Sequence, residues 1–390
     1  MFVKLLSVKL FKSQPSYTAY INSLGRVLAM ESVKGIVERV RSLYRGVDCA
    51  IACVSGGVDS TVSAVIARMA LGDRVYPVFI DTGFMRIGEA ERVRDALRGL
   101  LDLEVYNFAE EIVAGVEGLS DAEEKRVAFR EGFYRAVKAI ASEKGCSWVV
   151  QGTIKADVVE TAGGVKTQHN VLNEELLKRF NLRVIEPLID LYKHEVRELA
   201  REIGLPKWIV ERQPFPGPGL LIRAVGKFYR EKLEVVRRAT EVVERELGDR
   251  GFSQYFPAVW EYQVSGEGSA KGIDYKVFSV KVTGVVDGKR TYGHPVLVKR
   301  FPENMDLLSL YSYFDARLYP HILLELVDGG EGEYMVAIRI VKTDNFIVAE
   351  IPRIDLEELK HLAQNLLSLP KVRGVAFDIT PKPPATIEYE

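Results

Sequence analysis

The chain has 390 residues, 53 Lys+Arg against 54 Asp+Glu, and is 47% hydrophobic. That length carries two domains with substantial cores. The even charge leaves no footprint of nucleic-acid binding, and no apolar run approaches membrane-spanning length, so no nucleic-acid or membrane partner is expected. Cys49, Cys53 and Cys146 form no CxxC or metal-ligand spacing and read as buried thiols of a reducing, cytoplasmic compartment. Asn and Gln are few among many charged residues, a composition that leans weakly toward a thermophile. Residues 1–30 are faintly basic, with a short apolar run and no cleavage site. They are expected to be a poorly ordered extension, or to precede a true start at Met30, rather than a signal peptide.

In chain order, residues 50–54 are small and apolar and predict a fully buried strand. The run breaks at Ser55-Gly56-Gly57-Val58-Asp59-Ser60, and a helical pattern follows from Thr61 through Met69. Strand, glycine turn and helix aim backbone N–H groups and a helix N-terminus at an anion. Ser55, Ser60 and Thr61 add hydroxyl donors. No Gly-Lys follows, so this is not a Walker A loop, and it is not GxGxxG. Asp59 stands in place of a lysine, and its carboxylate would repel phosphate unless a divalent cation lay between them. Such a cradle suits magnesium pyrophosphate, released when a substrate attacks the α-phosphate of ATP.

Strands are predicted at 75–81, 103–108, 147–152 and 184–188, with helices at 89–101, 121–143 and 194–203 between and after them. Repeated β-α units of this length predict an α/β fold, a doubly wound parallel five-stranded sheet. Ligands gather at the carboxyl ends of such strands, which brings Asp81, Gly152 and Thr153 toward the glycine loop. Asp157 and Glu160, a turn or two later, are placed to complete a magnesium shell with Asp59. Residues 161–180 are polar, carry glycine and lack a period, which predicts a mobile lid. Read from the residues alone, Lys125 and Arg126 are a solvated charge pair on a helix. Three prolines and two glycines in residues 214–219 predict a rigid connector. From about Ala224 the alternation stops. A helix at 228–247, strands near 275–285 and 334–341, a helix at 356–367 and a strand at 374–379 predict a smaller α+β domain. The expected division is an extension at 1–30, a first domain at 31–223 and a second at 224–390.

SGGVDST resembles the pyrophosphate loop of the N-type ATP pyrophosphatases. QGTIKADVVET, VKTQHNV, QPFPGPGLLIR, KVTGVVDGKRTYG and the C-terminal FDITPKPPATIEYE resemble one member, the ATP-pyrophosphatase (synthetase) subunit of GMP synthases of the archaeal two-subunit type. The resemblance runs from about Val33 to Glu390. It implies an adenine nucleotide alpha hydrolase-like sheet followed by a dimerisation domain, and amination of XMP to GMP through an adenyl-XMP intermediate, with release of AMP and pyrophosphate. ATP and pyrophosphate would lie on Ser55, Gly56, Gly57, Val58, Asp59, Ser60, Thr61, Asp81, Gly152 and Thr153. Asp59, Lys166 and His169 would be catalytic, and Asp59, Asp157 and Glu160 would hold Mg2+. XMP would meet Arg126, Arg290, Lys382, Ile387 and Glu388, on a tail that its prolines hold extended.

Ammonia is the third substrate the resemblance implies. No GxCxG motif surrounds any cysteine, so a separate glutaminase subunit is implied, and a homodimer is expected. The chain departs from the family pattern at Arg130 (glycine there), at Gln168 and Gln213 (histidines) and at LNEE in place of GGLP. Residues 295–333 intervene as an insert. Two other readings stay open: a paralogue that binds nucleotide without turnover, and another adenylating enzyme on the same loop, such as an NAD synthetase.

Overall fold

The computed structural model describes residues 31–155, 174–248, 250–302, 305–343 and 347–390. Asp157, Glu160, Lys166, Gln168, His169 and the extension at 1–30 lie outside them.

Helix α1 (Val33–Leu43) starts on Ser32, whose hydroxyl accepts from the Gly35 N–H. It leads to β1 (Ala50–Cys53), α2 (Val58–Leu71), β2 (Val75–Asp81), α3 (Glu89–Ala96), β3 (Glu104–Asn107), α4 (Ala109–Val116) and α5 (Ala122–Lys144). β4 (Trp148–Val150), α6 (Glu174–Phe180), β5 (Arg183–Ile185), α7 (Lys193–Ile203) and α8 (Lys207–Val210) complete the first half. The five strands pair in parallel in the order β3-β2-β1-β4-β5. Ile36 and Val40 of α1, Val62 and Ile66 of α2, and Val196 and Leu199 of α7 pack together on one side of the sheet. Ala136, Val137 and Ile140 of α5 cover Ile51, Val78 and Val149 on the other. This is the predicted doubly wound sheet. The strand order reverses between β1 and β4, so the crevice opens where β1 runs into Ser55 and β4 into Gln151.

Helix α9 (Arg230–Leu247) opens the second half, followed by β6 (Gln254–Glu261), β7 (Val264–Ala270) and β8 (Ile273–Phe278). Then come the hairpin β9 (Val282–Val286) and β10 (Lys289–Gly293), β11 (Val296–Arg300), α10 (Leu307–Ser312) and β12 (Ile322–Asp328). β13 (Tyr334–Val341), α11 (Leu356–Leu367) and β14 (Val372–Asp378) end the series. Seven strands form a mixed sheet in the order β6-β13-β14-β12-β11-β8-β7. Val236 and Val243 of α9 and Leu362 and Leu366 of α11 pack on one face, with Val336, Ile338 and Val375. Ile387 and Tyr389 of the tail pack on the other, with Trp260, Phe278, Leu323 and Ala376. Phe84, Ile112 and Phe129 of the first half join the same cluster as Leu220 and Phe228, so the core is continuous between the two sheets.

Several expectations are corrected. Cys49 and Cys146 are not thiols: they precede the neighbouring strands β1 and β4, their Cα atoms are 5.1 Å apart, and they form a disulfide. Their 97-residue separation hid a proximity that the sheet order creates. The segment read as irregular to residue 180 is helical from Glu174 to Phe180. Phe180 stacks on Tyr134 at 6.2 Å, and Arg179 Nη1 lies 2.6 Å from Glu131 Oε1. A helix of 7 residues is too short to reveal its period. The strand expected at 275–285 is two, because β8 ends at Phe278 and β9 belongs to the separate hairpin. Residues 295–333 supply β11 and β12, which join β8 to β14.

The tail is not extended throughout. It turns at Pro383–Pro384, with the Ala385 N–H donating to the Pro381 carbonyl, and both the Lys382–Pro383 and Pro383–Pro384 bonds are cis. Lys125 and Arg126 are both buried rather than solvated. The Lys125 ammonium donates to the carbonyls of Ala224 (3.1 Å) and Gly226 (3.0 Å) and pairs with Glu390, since a buried charge must be hydrogen-bonded to persist.

Candidate active site

The loop after β1 is organised by its own hydroxyls. Ser55 N–H donates to Ser60 Oγ (3.2 Å), Ser60 Oγ donates to the Gly57 carbonyl (3.1 Å), and the two serine hydroxyls are 3.0 Å apart. Thr61, fully buried, turns its hydroxyl back onto the same carbonyl at 2.8 Å, so it braces the first turn of α2. Gly56 has φ +79°, and a Cβ there would stand 2.6 Å from Val93 Cγ2. Gly152, at the end of β4, presses on that first turn: a Cβ would lie 2.8 Å from both Asp59 C and Ser60 N. Only glycine fits either place.

Asp59 lies in the first turn of α2, where the helix dipole favours a carboxylate. Its Oδ2 is 2.5 Å from the ammonium of Lys193, the first residue of α7. Reading the residues one by one did not single out Lys193. It lies 134 positions after Asp59, and no spacing rule in the sequence connects the two. Arg212, in the segment after α8, pairs with buried Glu89 and donates to the Gly56 carbonyl at 3.4 Å. Asp81 closes β2 and accepts from the Gly83 N–H at 2.9 Å. Thr153 is buried, and its hydroxyl has no hydrogen bond among the described residues.

The donor set is what a magnesium ion bound to phosphate would use in part. A carboxylate at a helix N-terminus already faces a cation, but its expected companions Asp157 and Glu160 lie outside the described residues. Among the described residues no cluster of three or more His, Cys, Asp or Glu side chains is gathered.

A second cluster lies where α5 meets the mixed-sheet half. Arg126 is buried, and its Nε and Nη1 carry no hydrogen bond among the described residues; Glu123 lies 3.6 Å away. Burial, and then the charge of Arg290 on the β9–β10 hairpin, lower the pKa of its guanidinium. Two guanidiniums that repel each other, one with orphaned donors, form a place for an anion. The tail runs beside the hairpin, with Val285 N–H donating to Pro384 O (2.7 Å) and Thr283 N–H to Tyr389 O (2.9 Å). Lys382 is held through its backbone against Ala349. Ile387 is buried, and Glu388 accepts from Arg223 Nε (3.2 Å) and Nη2 (3.0 Å) and from Gln254 Nε2 (3.0 Å).

The structure thus brings Ser55 to Thr61, Gly152 and Asp59 to one crevice, and Arg126 and Arg290 to another place beside the tail. Gln213 bridges within the connector: its amide donates to Glu244 (3.1 Å) and its carbonyl accepts from Tyr255 N–H (2.9 Å).

A doubly wound sheet with a serine- and glycine-built loop suited to an anion at its switch point, joined to a mixed sheet, defines a nucleotide-binding type of α/β fold with an appended second half. The family description "Thiamine biosynthesis protein (ThiI)" matches residues 46–213, and "GMP synthase C terminal domain" matches residues 326–389. A glutamine-hydrolyzing GMP synthase subunit of Sulfurisphaera tokodaii is 45% identical over 351 residues, covering 87% of this chain and 94% of its own. The corresponding subunit of the Archaeoglobus fulgidus enzyme is 38% identical over 360 residues, covering 92% and 97%. The chain belongs to the family of GMP synthase subunits that these two relatives represent.

Proposed function

We propose that this chain, as the ATP-pyrophosphatase subunit of a GMP synthase and so a ligase, activates XMP with ATP for amination to GMP. The observation that carries the reading is the Ser55–Thr61 loop, folded against Gly152 with Asp59 at the helix N-terminus, in a chain 45% identical to a GMP synthase subunit.

The xanthine 2-oxygen attacks the α-phosphorus of ATP, the bond to the β-phosphate breaks, and pyrophosphate leaves onto the loop. The Gly57 N–H is the donor for its developing charge, and the Ser55 and Ser60 hydroxyls join it by rotating away from the partners they hold within the loop. Mg2+, held by Asp59 with Asp157 and Glu160, would supply charge neutralisation between the triphosphate and this carboxylate. Ammonia then adds at C2 and AMP departs. Lys166 is assigned to stabilising phosphate charge and His169 to proton transfer.

XMP is assigned to the Arg126–Arg290 place, with Lys382, Ile387 and Glu388 closing it. Tyr292 and Glu390, which both act electrostatically on Arg126, line an adjacent cleft of about 860 Å³. Ammonia is assigned to a separate glutaminase subunit, the chain to a homodimer through its second domain, and the enzyme to the cytoplasm on the strength of its metabolic family, since the Cys49–Cys146 disulfide removes the argument from free thiols. In the described residues no helix is long and apolar enough to cross a membrane. The experiment is XMP-dependent release of pyrophosphate from ATP with ammonium present.

A further inference from the structure

We propose that Arg212 is a positioning residue for the pyrophosphate half of ATP, acting through the Gly56–Gly57 peptide. This rests on the reading of Ser55–Thr61 as the pyrophosphate cradle.

A peptide unit is planar and trans, so its C=O and N–H point in opposite directions. The Gly56 carbonyl and the Gly57 N–H belong to one such unit. Arg212 Nη1 holds that carbonyl at 3.4 Å from behind the loop, which turns the Gly57 N–H toward the open side. There the N–H meets Ser55 Oγ at 3.4 Å, an exposed contact that a phosphate oxygen can replace, whereas Arg212 on the other side is mostly buried and paired. The clamp is stiff. Arg212 is itself fixed by an ion pair to Glu89 at the start of α3, with side chains 12% and 2% exposed. The loop also lies tight against it, since a Cβ on Gly56 would stand 3.0 Å from Arg212 Nη1.

The mounting joins the two halves of the molecule. The next residue, Gln213, is bonded to Glu244 of α9 and to the Tyr255 N–H of β6. Arg86, in the turn after β2, makes a two-pronged pair with the same Glu244 (2.6 and 2.7 Å) and lies 4.0 Å over the Phe215 ring. A loop that must keep its N–H groups aimed through a turnover gains from an anchor outside its own backbone.

The test compares Arg212→Met and Arg212→Lys with the unaltered full chain. Steady-state kinetics would be measured with ATP, XMP and ammonium, alongside calorimetric binding of inorganic pyrophosphate and thermal melting. With Met, KM for ATP and Kd for pyrophosphate should each rise about three- to tenfold, the net worth of one ordinary hydrogen bond, while KM for XMP stays within about twofold. Lys should recover part of the loss. Unchanged ATP and pyrophosphate values, or ATP and XMP values rising together, would overturn the proposal. If the Met variant melts below the assay temperature, Arg212→Lys decides: a pyrophosphate Kd several times the unaltered value supports the clamp, and an unaltered Kd refutes it. Pyrophosphate binding reads the clamp even if the unaltered chain proved unable to turn over XMP, so failure of the functional reading stays distinguishable.

Discussion

The ammonium of Lys193 stands 2.5 Å from Asp59 Oδ2, so the carboxylate of the anion loop is neutralised by a residue 134 positions later in the chain. Both side chains are partly exposed, 41% and 24%, which makes the pair a weak contributor to stability, under about 1 kcal/mol. Its importance is chemical: Asp59 is the carboxylate assigned to hold Mg2+ between the loop and the triphosphate, and an amide in its place is a far poorer ligand for a hard cation. Asp59→Asn should therefore abolish XMP-dependent pyrophosphate release while its melting temperature stays near that of the unaltered chain. Near-normal release would show that the loop needs no carboxylate.

The Cys49–Cys146 disulfide closes a loop of 97 residues. Chain entropy alone makes such a cross-link worth about 4–5 kcal/mol. Cys49→Ser should lower the melting temperature by several degrees and make it insensitive to dithiothreitol, which should destabilise the unaltered chain. A reductant-insensitive unaltered chain would show that the bond contributes nothing.

Asp378 is the acid at the centre of the mixed-sheet half. Its Oδ2 accepts from Tyr389 Oη at 2.6 Å, lies 2.6 Å from His321 Nδ1, and pairs with Arg339 at 3.2 Å. Burial pushes its carboxyl up, but Arg339 and His321 outweigh it and hold it well below the usual carboxylate range. A depressed folded pKa stabilises above the unfolded value of about 3.9, and that stability is lost as pH falls further toward the folded pKa. Asp378→Asn, which leaves Arg339 buried without its counter-charge, should cost about 3–5 kcal/mol at pH 7. The gap between variant and unaltered chain should narrow below about pH 4. Denaturant melts across pH check both, and a pH-independent gap would contradict the assignment.

The tail also fixes how the XMP assignment is tested. Truncation after Ile379 would strip Tyr389 from His321 and Asp378 and Glu388 from Arg223, and so should destabilise the whole mixed-sheet half. Lys382→Ala spares these contacts. It should weaken XMP binding by about 1.5–3 kcal/mol, the worth of a hydrogen bond to a charged group, and leave ATP binding unchanged. Titration of the two ligands separately decides it: no loss for XMP would remove the tail from the substrate site.

How much of this was legible in the sequence follows from the range of each interaction. The loop, its strand and its helix are contiguous, so period and turn chemistry reveal them from Ala50 onward. The first sheet announces itself because each β-α unit repeats the same local signal. Lys193, Arg212 and Glu244 reach their partners only after folding, and no spacing rule connects Asp59 with Lys193. The disulfide was hidden for the same reason, since only the order β1-β4 brings its cysteines together. β6 escaped because its partner β13 lies far along the chain, β11 and β12 because they fall inside the stretch read as an insert, and β7 because its exposed run of Ser and Gly gives no strand signal. The separation of β9 from β8 escaped because an alternating pattern does not say which sheet it joins.

The central claim is most directly tested by incubating the purified chain with ATP, Mg2+ and XMP, with either ammonium chloride or glutamine, and assaying GMP, AMP and pyrophosphate together. With ammonium, the three products should form in equal amounts and only when XMP is present; with glutamine alone, none should form. Pyrophosphate release that ignores XMP, or GMP made from glutamine by this chain unaided, would contradict the account.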